Sequence, residues 1–463
     1  MVILKFLMAI TIQWSPPETM PLGVLMGVSY LAVDSNGVLF CAVDTSCRTN
    51  AYLLKYDGDT WSLYNITNET GEGNGCWQGI EVDSMNRLHG LWTDLFCWKH
   101  CIFCDDSVVK IDTIPGSIGR GGGYADITVF RNKVFVCFND LNWNMFLSVF
   151  DGDSWHTIEA PYQNVANPQI GCDTAGRLHI VWTDKIAEVL KYTVYDGEWH
   201  DHVSLSPGHP DTGRVWGPAV EMKVDRLGRV HVIWHERLPR RITEYWYGCY
   251  ADDRFYKKFL IREKTSGGEV GNIRIDKFNN PIIVQDQAFV SPDEIDSLWL
   301  FYYDGVTWSR ELVKAEDTAA NCMVLAVPRM VLYDSVIHIT VGECGVDYYY
   351  TRYIKGIMIS YGISEEREKS QHLNIYPTLM LDKLDAFLPY RLSKVEVAIL
   401  NLCGQPILQR TFMEGLDSFS IVYSANGTFI PTGCYFLMLK TENGNTFCKK
   451  FILLKSGKYE IIK

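Results

Sequence analysis

The sequence predicts an all-β chain, a seven-bladed β-propeller followed by a small immunoglobulin-like β-sandwich. Three observations predict it. A two-hairpin unit recurs about every 50 residues, the spacing of four-stranded propeller blades. Each clear copy writes its own tight turn with Asp and Gly or Asn between strand-forming residues. The recurrence stops after Ser360, and strand runs of a different spacing follow. The 463 residues exceed one ordinary domain, which suits one large unit and one small one. Hydrophobic residues make up 47% and aromatics 13%, enough to build a full core and too many for a disordered chain.

At the N-terminus, residues 1 to 13 (MVILKFLMAITIQ) carry one Lys and an apolar run, without a small-residue cleavage site before Trp14-Ser15-Pro16-Pro17. Two readings stand, a remnant signal peptide or a β-strand. The β-branched ITIQW favours a strand that pairs with the last blade and closes the ring.

The first hairpin of the unit is clearest in VDSMNRLHGLWTD from Val82, CDTAGRLHIVWTD from Cys172 and VDRLGRVHVIWHE from Val224. Weaker copies start at Val33, Val129, Ile275 and Leu332, making seven. The second hairpin is an aromatic, Asp-Gly, then Trp: YDGDTW from Tyr56, FDGDSW from Phe150, YDGEW from Tyr195 and YDGVTW from Tyr303. Degraded forms follow Cys104 and Tyr250, and the last blade lacks one. Strands such as LHIVW read as almost continuously apolar, as expected where blades cover one another on both faces.

The YDGxTW turns resemble the Asp-box repeats of sialidase-like propellers (BNR-type) over roughly residues 14 to 360, with Asp and Gly adjacent where that family's box separates them by one residue. The box is a structural turn, so the resemblance implies fold more than chemistry.

The propeller is expected over residues 1–363, a charged linker (SEEREKSQ) over 364–371 and the sandwich over 372–463. Strand runs there are VEVAIL from Val395, FSIVY from Phe419, CYFLMLK from Cys434 and CKKFILL from Cys448. Three stretches, IYPTLMLDKL from Ile375, VEVAILNLCGQPIL from Val395 and PTGCYFLMLKTENGNTFCKKFIL from Pro431, resemble the type A C-terminal sorting domain of the type IX secretion system of gram-negative bacteria. That resemblance implies a secreted or outer-membrane surface-attached protein, with the type IX machinery as a partner of this domain.

The formal net charge of −12, without a basic stripe, argues against a nucleic-acid partner. No apolar run reaches the roughly 18 residues needed to span a bilayer as a helix. Fourteen cysteines fall at irregular spacing and do not fix a redox compartment. Cys97, Cys101 and Cys104 in CWKHCIFC match the spacing of radical-SAM iron–sulfur ligands, but that motif requires a loop on a (β/α) barrel, whereas this segment is expected between the second and third strands of blade two. A local metal or disulfide site with His100 is the alternative to ordinary packing. No metal and no cofactor is assigned.

His89, His179, His231 and His338 occupy one repeat position. Equivalent positions lie on a ring and do not converge, so they read as packing or hydrogen-bonding residues. A second recurrent feature is acidic. The second strands end in Asp94, Asp140, Asp184, Glu236 and Glu343, with Asp44 and Asp286 displaced by one residue, and Trp77 and Trp216 precede first strands at the same face. Carboxylates beside aromatics suit a sugar, and carboxylates that cap their own turns are the competing reading. Arg120, Arg214, Arg240 and Arg274 lie on the rim side, but sialidase chemistry needs three converging arginines and a Tyr–Glu pair. The expectation is a non-catalytic glycan- or protein-binding propeller. The alternatives are a glycoside hydrolase or polysaccharide lyase of the same architecture, or a purely structural surface protein.

Overall fold

A computed structural model gives the structure of the chain. It describes residues 10–21, 29–44, 50–67, 75–94, 96–119, 123–206, 214–238, 242–251, 253–263, 271–287, 297–303, 308–315, 325–344, 349–360, 374–376, 379–380, 383–392, 395–400, 406–412, 416–431, 433–441, 446–453 and 457–462. The chain divides into two compact units, Thr11–Ile359 and Ser360–Lys463 with Met1–Ile10. The expected linker 364–371 lies outside the described residues.

The larger unit is all-β, and among the described residues its strands form seven antiparallel sheets in chain order. Sheets 1 to 6 have four strands each, over residues 29–65, 76–113, 125–159, 165–204, 214–263 and 272–315. Sheet 7 has five strands, three from residues 325–360 and two from the start of the chain, Ile10–Trp14 and the short Glu18–Thr19, both paired with Tyr349–Ser360. Ser15 N–H donates to Lys355 O at 2.7 Å, and Lys355 N–H donates to Ser15 Oγ at 3.0 Å. The first strands, from Ser29, Cys76, Ala125, Val165, Arg214, Asn272 and Leu325, touch one another in that order, and the last touches the first.

Local chemistry explains the repetition. In the first hairpins Asp34, Asp83, Asp173, Asp225 and Asp276 each accept, on Oδ1, the backbone N–H groups two and four residues later. The residue three positions after the Asp takes positive φ, at Gly37, Asn86, Gly176, Gly228 and Asn279, where Gly and Asn are least strained. In the second hairpins Gly58, Gly152 and Gly197 have φ of 110°, 112° and 117°. The aromatics flanking these turns pair across the strands, Tyr56 with Trp61 at 4.8 Å between ring centroids and Phe150 with Trp155 at 5.2 Å. The strand Leu178–Asp184 is buried through Thr183, as a strand covered on both faces requires.

The CWKHCIFC motif lies elsewhere than expected. The third strand of sheet 2 is Trp98–Cys104, so most of the motif is strand and not the connection before it. Cys101 and Cys104 then point to opposite faces of the sheet, and no metal-binding group of three or more His, Cys, Asp or Glu side chains occurs among the described residues.

The smaller unit contains a four-stranded sheet and a five-stranded sheet. Val397, Ala398, Ile399, Leu437, Tyr459 and Ile461 are buried in it. VEVAIL forms the strand Val395–Leu400, which pairs with Pro406–Phe412 on one side and Gly433–Thr441 on the other.

Candidate functional site

Three groups of polar side chains are built by the larger unit. The first stands behind the Asp turns. Asp173 Oδ2 faces His179 Nε2 at 3.4 Å, and His179 Nδ1 meets Tyr192 OH at 2.8 Å. Sheet 5 repeats this with Asp225, His231 and Tyr247, at 3.1 and 2.8 Å. His338 retains the Tyr353 contact at 2.7 Å. Burial works to raise the Asp225 carboxyl, but His231 and Arg229 outweigh it and hold it at about 2. Burial lowers both His179 and His231 below the ordinary imidazole value, so at neutral pH they are uncharged hydrogen-bonding partners. Each column stays within its own sheet.

The second group is the set of carboxylates and tryptophans that the sequence predicts at the rim. Asp94 Oδ1 accepts from the N–H groups of Phe96 and Cys97, Asp140 Oδ1 from Asn142 and Asn144, and Asp184 Oδ1 from Ile186 and Ala187. These carboxylates hold the turns that carry them. Glu236 is buried and accepts from Trp234 Nε1 at 3.0 Å. Trp77 lies inside the wall, 1% exposed, edge-on to Trp92 and donating to Tyr52 O at 3.1 Å. Asp286 is buried and accepts from Gln285 Nε2 at 3.0 Å. The side chains of Trp216, Glu343, Asp44 and Arg214, and residues Arg120 and Arg240, lie outside the described part of the structure.

The third group lines the inside of the cycle of first strands; sequence reasoning missed it, and placed Arg274, which belongs to it, on the rim side. Lys223 Nζ of sheet 5 reaches Glu81 Oε1 of sheet 2 at 3.4 Å. Those sheets are not neighbours in the cycle, so this ion pair crosses its interior. Glu221 Oε1 accepts from Asn272 Nδ2 at 2.7 Å and lies 3.5 Å from Arg274 Nη1. Asn272 Oδ1 in turn accepts the Met330 N–H at 3.0 Å, joining sheets 5, 6 and 7. Asp126 of sheet 3 accepts the Ile170 N–H of sheet 4 at 2.9 Å. Burial pushes its carboxyl up to about 7, with Lys223 working against the rise and Glu221 adding to it. A cavity of about 280 Å³ opens among these strands, lined by Glu81, Lys223 and Arg274 and by aliphatic side chains including Leu31, Val224 and Val331. Two cations, the Glu81 carboxylate and an apolar wall are thus presented together, and Asp126 is not among the residues that line the cavity.

No family model and no curated protein matches the chain, so both resemblances rest on their quoted motifs alone. Among solved structures, the chain is similar to the polysaccharide lyase Uly1, at 11% identity and TM-score 0.46 over 72% of this chain and 90% of that one. It is similar to the Aleuria aurantia lectin, a fungal lectin of six-bladed β-propeller fold, at 11% identity and TM-score 0.37 over 75% of this chain and 99% of the lectin. A Dyadobacter fermentans protein of unknown function matches at 10% identity and TM-score 0.43, over 75% of this chain and 99% of that one. Likenesses this distant transfer no residue and no ligand.

Proposed function

We propose that the chain is an exported or cell-surface seven-bladed β-propeller that binds a glycan, or a glycan-bearing surface protein, without transforming it. In this reading, residues 372–463 are an immunoglobulin-like sorting domain that delivers it through the type IX secretion system. The observation that carries the binding reading is the axial cavity, where the Lys223–Glu81 pair and Arg274 stand against aliphatic walls. A sugar presents the matching surface, hydroxyls around its edge and C–H groups on its faces. The rim would supply outer contacts from Trp216 and Glu343, with Asp94 and Asp184 beside the turns they hold, while Asp140, Glu236 and Trp77 are buried.

Asp126 favours a second reading, a glycoside hydrolase or polysaccharide lyase of the same architecture. Burial raises its carboxyl to about 7, the direction an acid–base group needs, and it would have to reach the substrate from behind the cavity wall. A glycan-array screen of the full chain, followed by hydrolysis and β-elimination assays on every ligand found, tests both. Binding without turnover, weakened by Lys223→Ala or Trp216→Ala, is expected. Turnover abolished by Asp126→Asn would establish the enzyme instead, and an array without a single ligand would remove the glycan reading.

A further inference from the structure

Sheet 2 departs from the Asp–His–Tyr column of its neighbours, because a second histidine stands where sheets 4 and 5 place tyrosine. Asp83 Oδ2 faces His89 Nε2 at 3.2 Å, His89 Nδ1 faces His100 Nε2 at 3.0 Å, and His100 Nδ1 points to Asp112 Oδ2 at 3.8 Å. Both rings are fully buried and stacked, with planes 16° apart. Asp112 also accepts from Trp155 Nε1 of sheet 3 at 3.2 Å, and His100 packs against Phe150 and Trp155 of that sheet. We propose that His89 and His100 form a one-proton switch at the contact between sheets 2 and 3.

The proton count follows from the geometry. Arg87 holds Asp83 ionised through its guanidinium, so His89 Nε2 carries a hydrogen toward it. His89 Nδ1 then presents a lone pair, and His100 Nε2–H donates to it. His100 Nδ1 is left with a lone pair facing the Asp112 carboxylate at 3.8 Å, too far for a hydrogen bond, and has no hydrogen-bond partner in its buried position. One added proton at His100 Nδ1 gives every ring nitrogen a compatible partner and sets an imidazolium against Asp112. A second would place two N–H groups head to head between the rings. The charged groups facing the pair are Asp83 and Arg87 from its own sheet's first turn, and Lys110 and Asp112 from the outer strand. Among the described residues, sheet 3 meets the pair through the rings of Phe150 and Trp155. Lys110 lies 3.2 Å from Asp112 and opposes the charge, and burial lowers both imidazoles, so uptake falls below the ordinary histidine range. Because Asp112 joins His100 to Trp155, the proton changes a bond that spans the two sheets.

Nitrogen NMR of the full chain with labelled histidine rings tests this. Expected is uptake of a single proton at His100 Nδ1, with the Trp155 indole N–H resonance moving at the same midpoint and His89 remaining neutral. Asp112→Asn lowers that midpoint by about one pH unit, and Lys110→Gln raises it. Lys110 is partly exposed, so its variant carries the sign test even where Asp112→Asn fails to fold. Uptake of two protons, protonation at His89 first, or an unmoved midpoint in Lys110→Gln would overturn the proposal.

Discussion

At the residue scale, His338 isolates what burial does to an imidazole in this fold. Its Nδ1 meets Tyr353 OH at 2.7 Å, and burial, followed by the charge of Lys355, pushes it down to about 4. Unfolded histidine takes its proton near 6.5. Between about 6.5 and 4 the unfolded chain therefore binds more protons at this position than the folded one. Stability contributed by the neutral ring is fully present above 6.5 and declines as pH falls toward 4. At pH 5 the loss is on the order of 2 kcal/mol. Denaturant unfolding of wild type and His338→Gln at pH 7.5 and pH 5 should show that much less pH dependence in the variant, and equal dependence would mean that His338 is not held neutral. The repeat made this histidine legible in the sequence, as it did the turn-forming Asp and Gly residues, because both are set by neighbours a few positions away. Asp126, Glu221 and Lys223 were not legible. Lys223 finds Glu81 across 142 positions, and only closure of the cycle brings them together. Alternating charges at 221 and 223 within a first strand were the available signal.

At the scale of elements, the strand Ile10–Trp14 supplies what sheet 7 lacks. The missing second hairpin of the last repeat was visible in the sequence, and so was the β-branched character of ITIQW. The intimacy of the contact was not. Trp14 donates from Nε1 to Glu311 Oε1 of sheet 6 at 2.9 Å, and its ring lies so near Gly356 that a Cβ there would sit 2.5 Å from a ring carbon. A methyl at Gly356 must displace the indole or the strand that carries it. Gly356→Ala should cost about 1–3 kcal/mol, and most of that penalty should vanish in a Trp14→Ala background, where the space is free. A double-mutant cycle on denaturant midpoints measures the coupling. An equal penalty in both backgrounds would place the strain elsewhere.

At the scale of the whole molecule, the two units carry different kinds of information. The larger repeats one design and varies what it presents toward its axis, so its four-stranded sheets could be read from period and turns while the charged groups that meet inside the cycle depended on long-range closure. The smaller does not repeat, and its reading rests on short motifs at Ile375, Val395 and Pro431. If those motifs are an address, removal of residues 372–463 should leave the seven sheets folded, since the larger unit builds buried clusters of its own. The truncated chain should then accumulate, folded, in the periplasm of a host with the type IX system, while the full chain reaches the surface or medium. Cell fractionation with limited proteolysis reads location and foldedness together. A folded truncated chain exported as well as the full one would end the address reading and leave the small unit a binding or structural module.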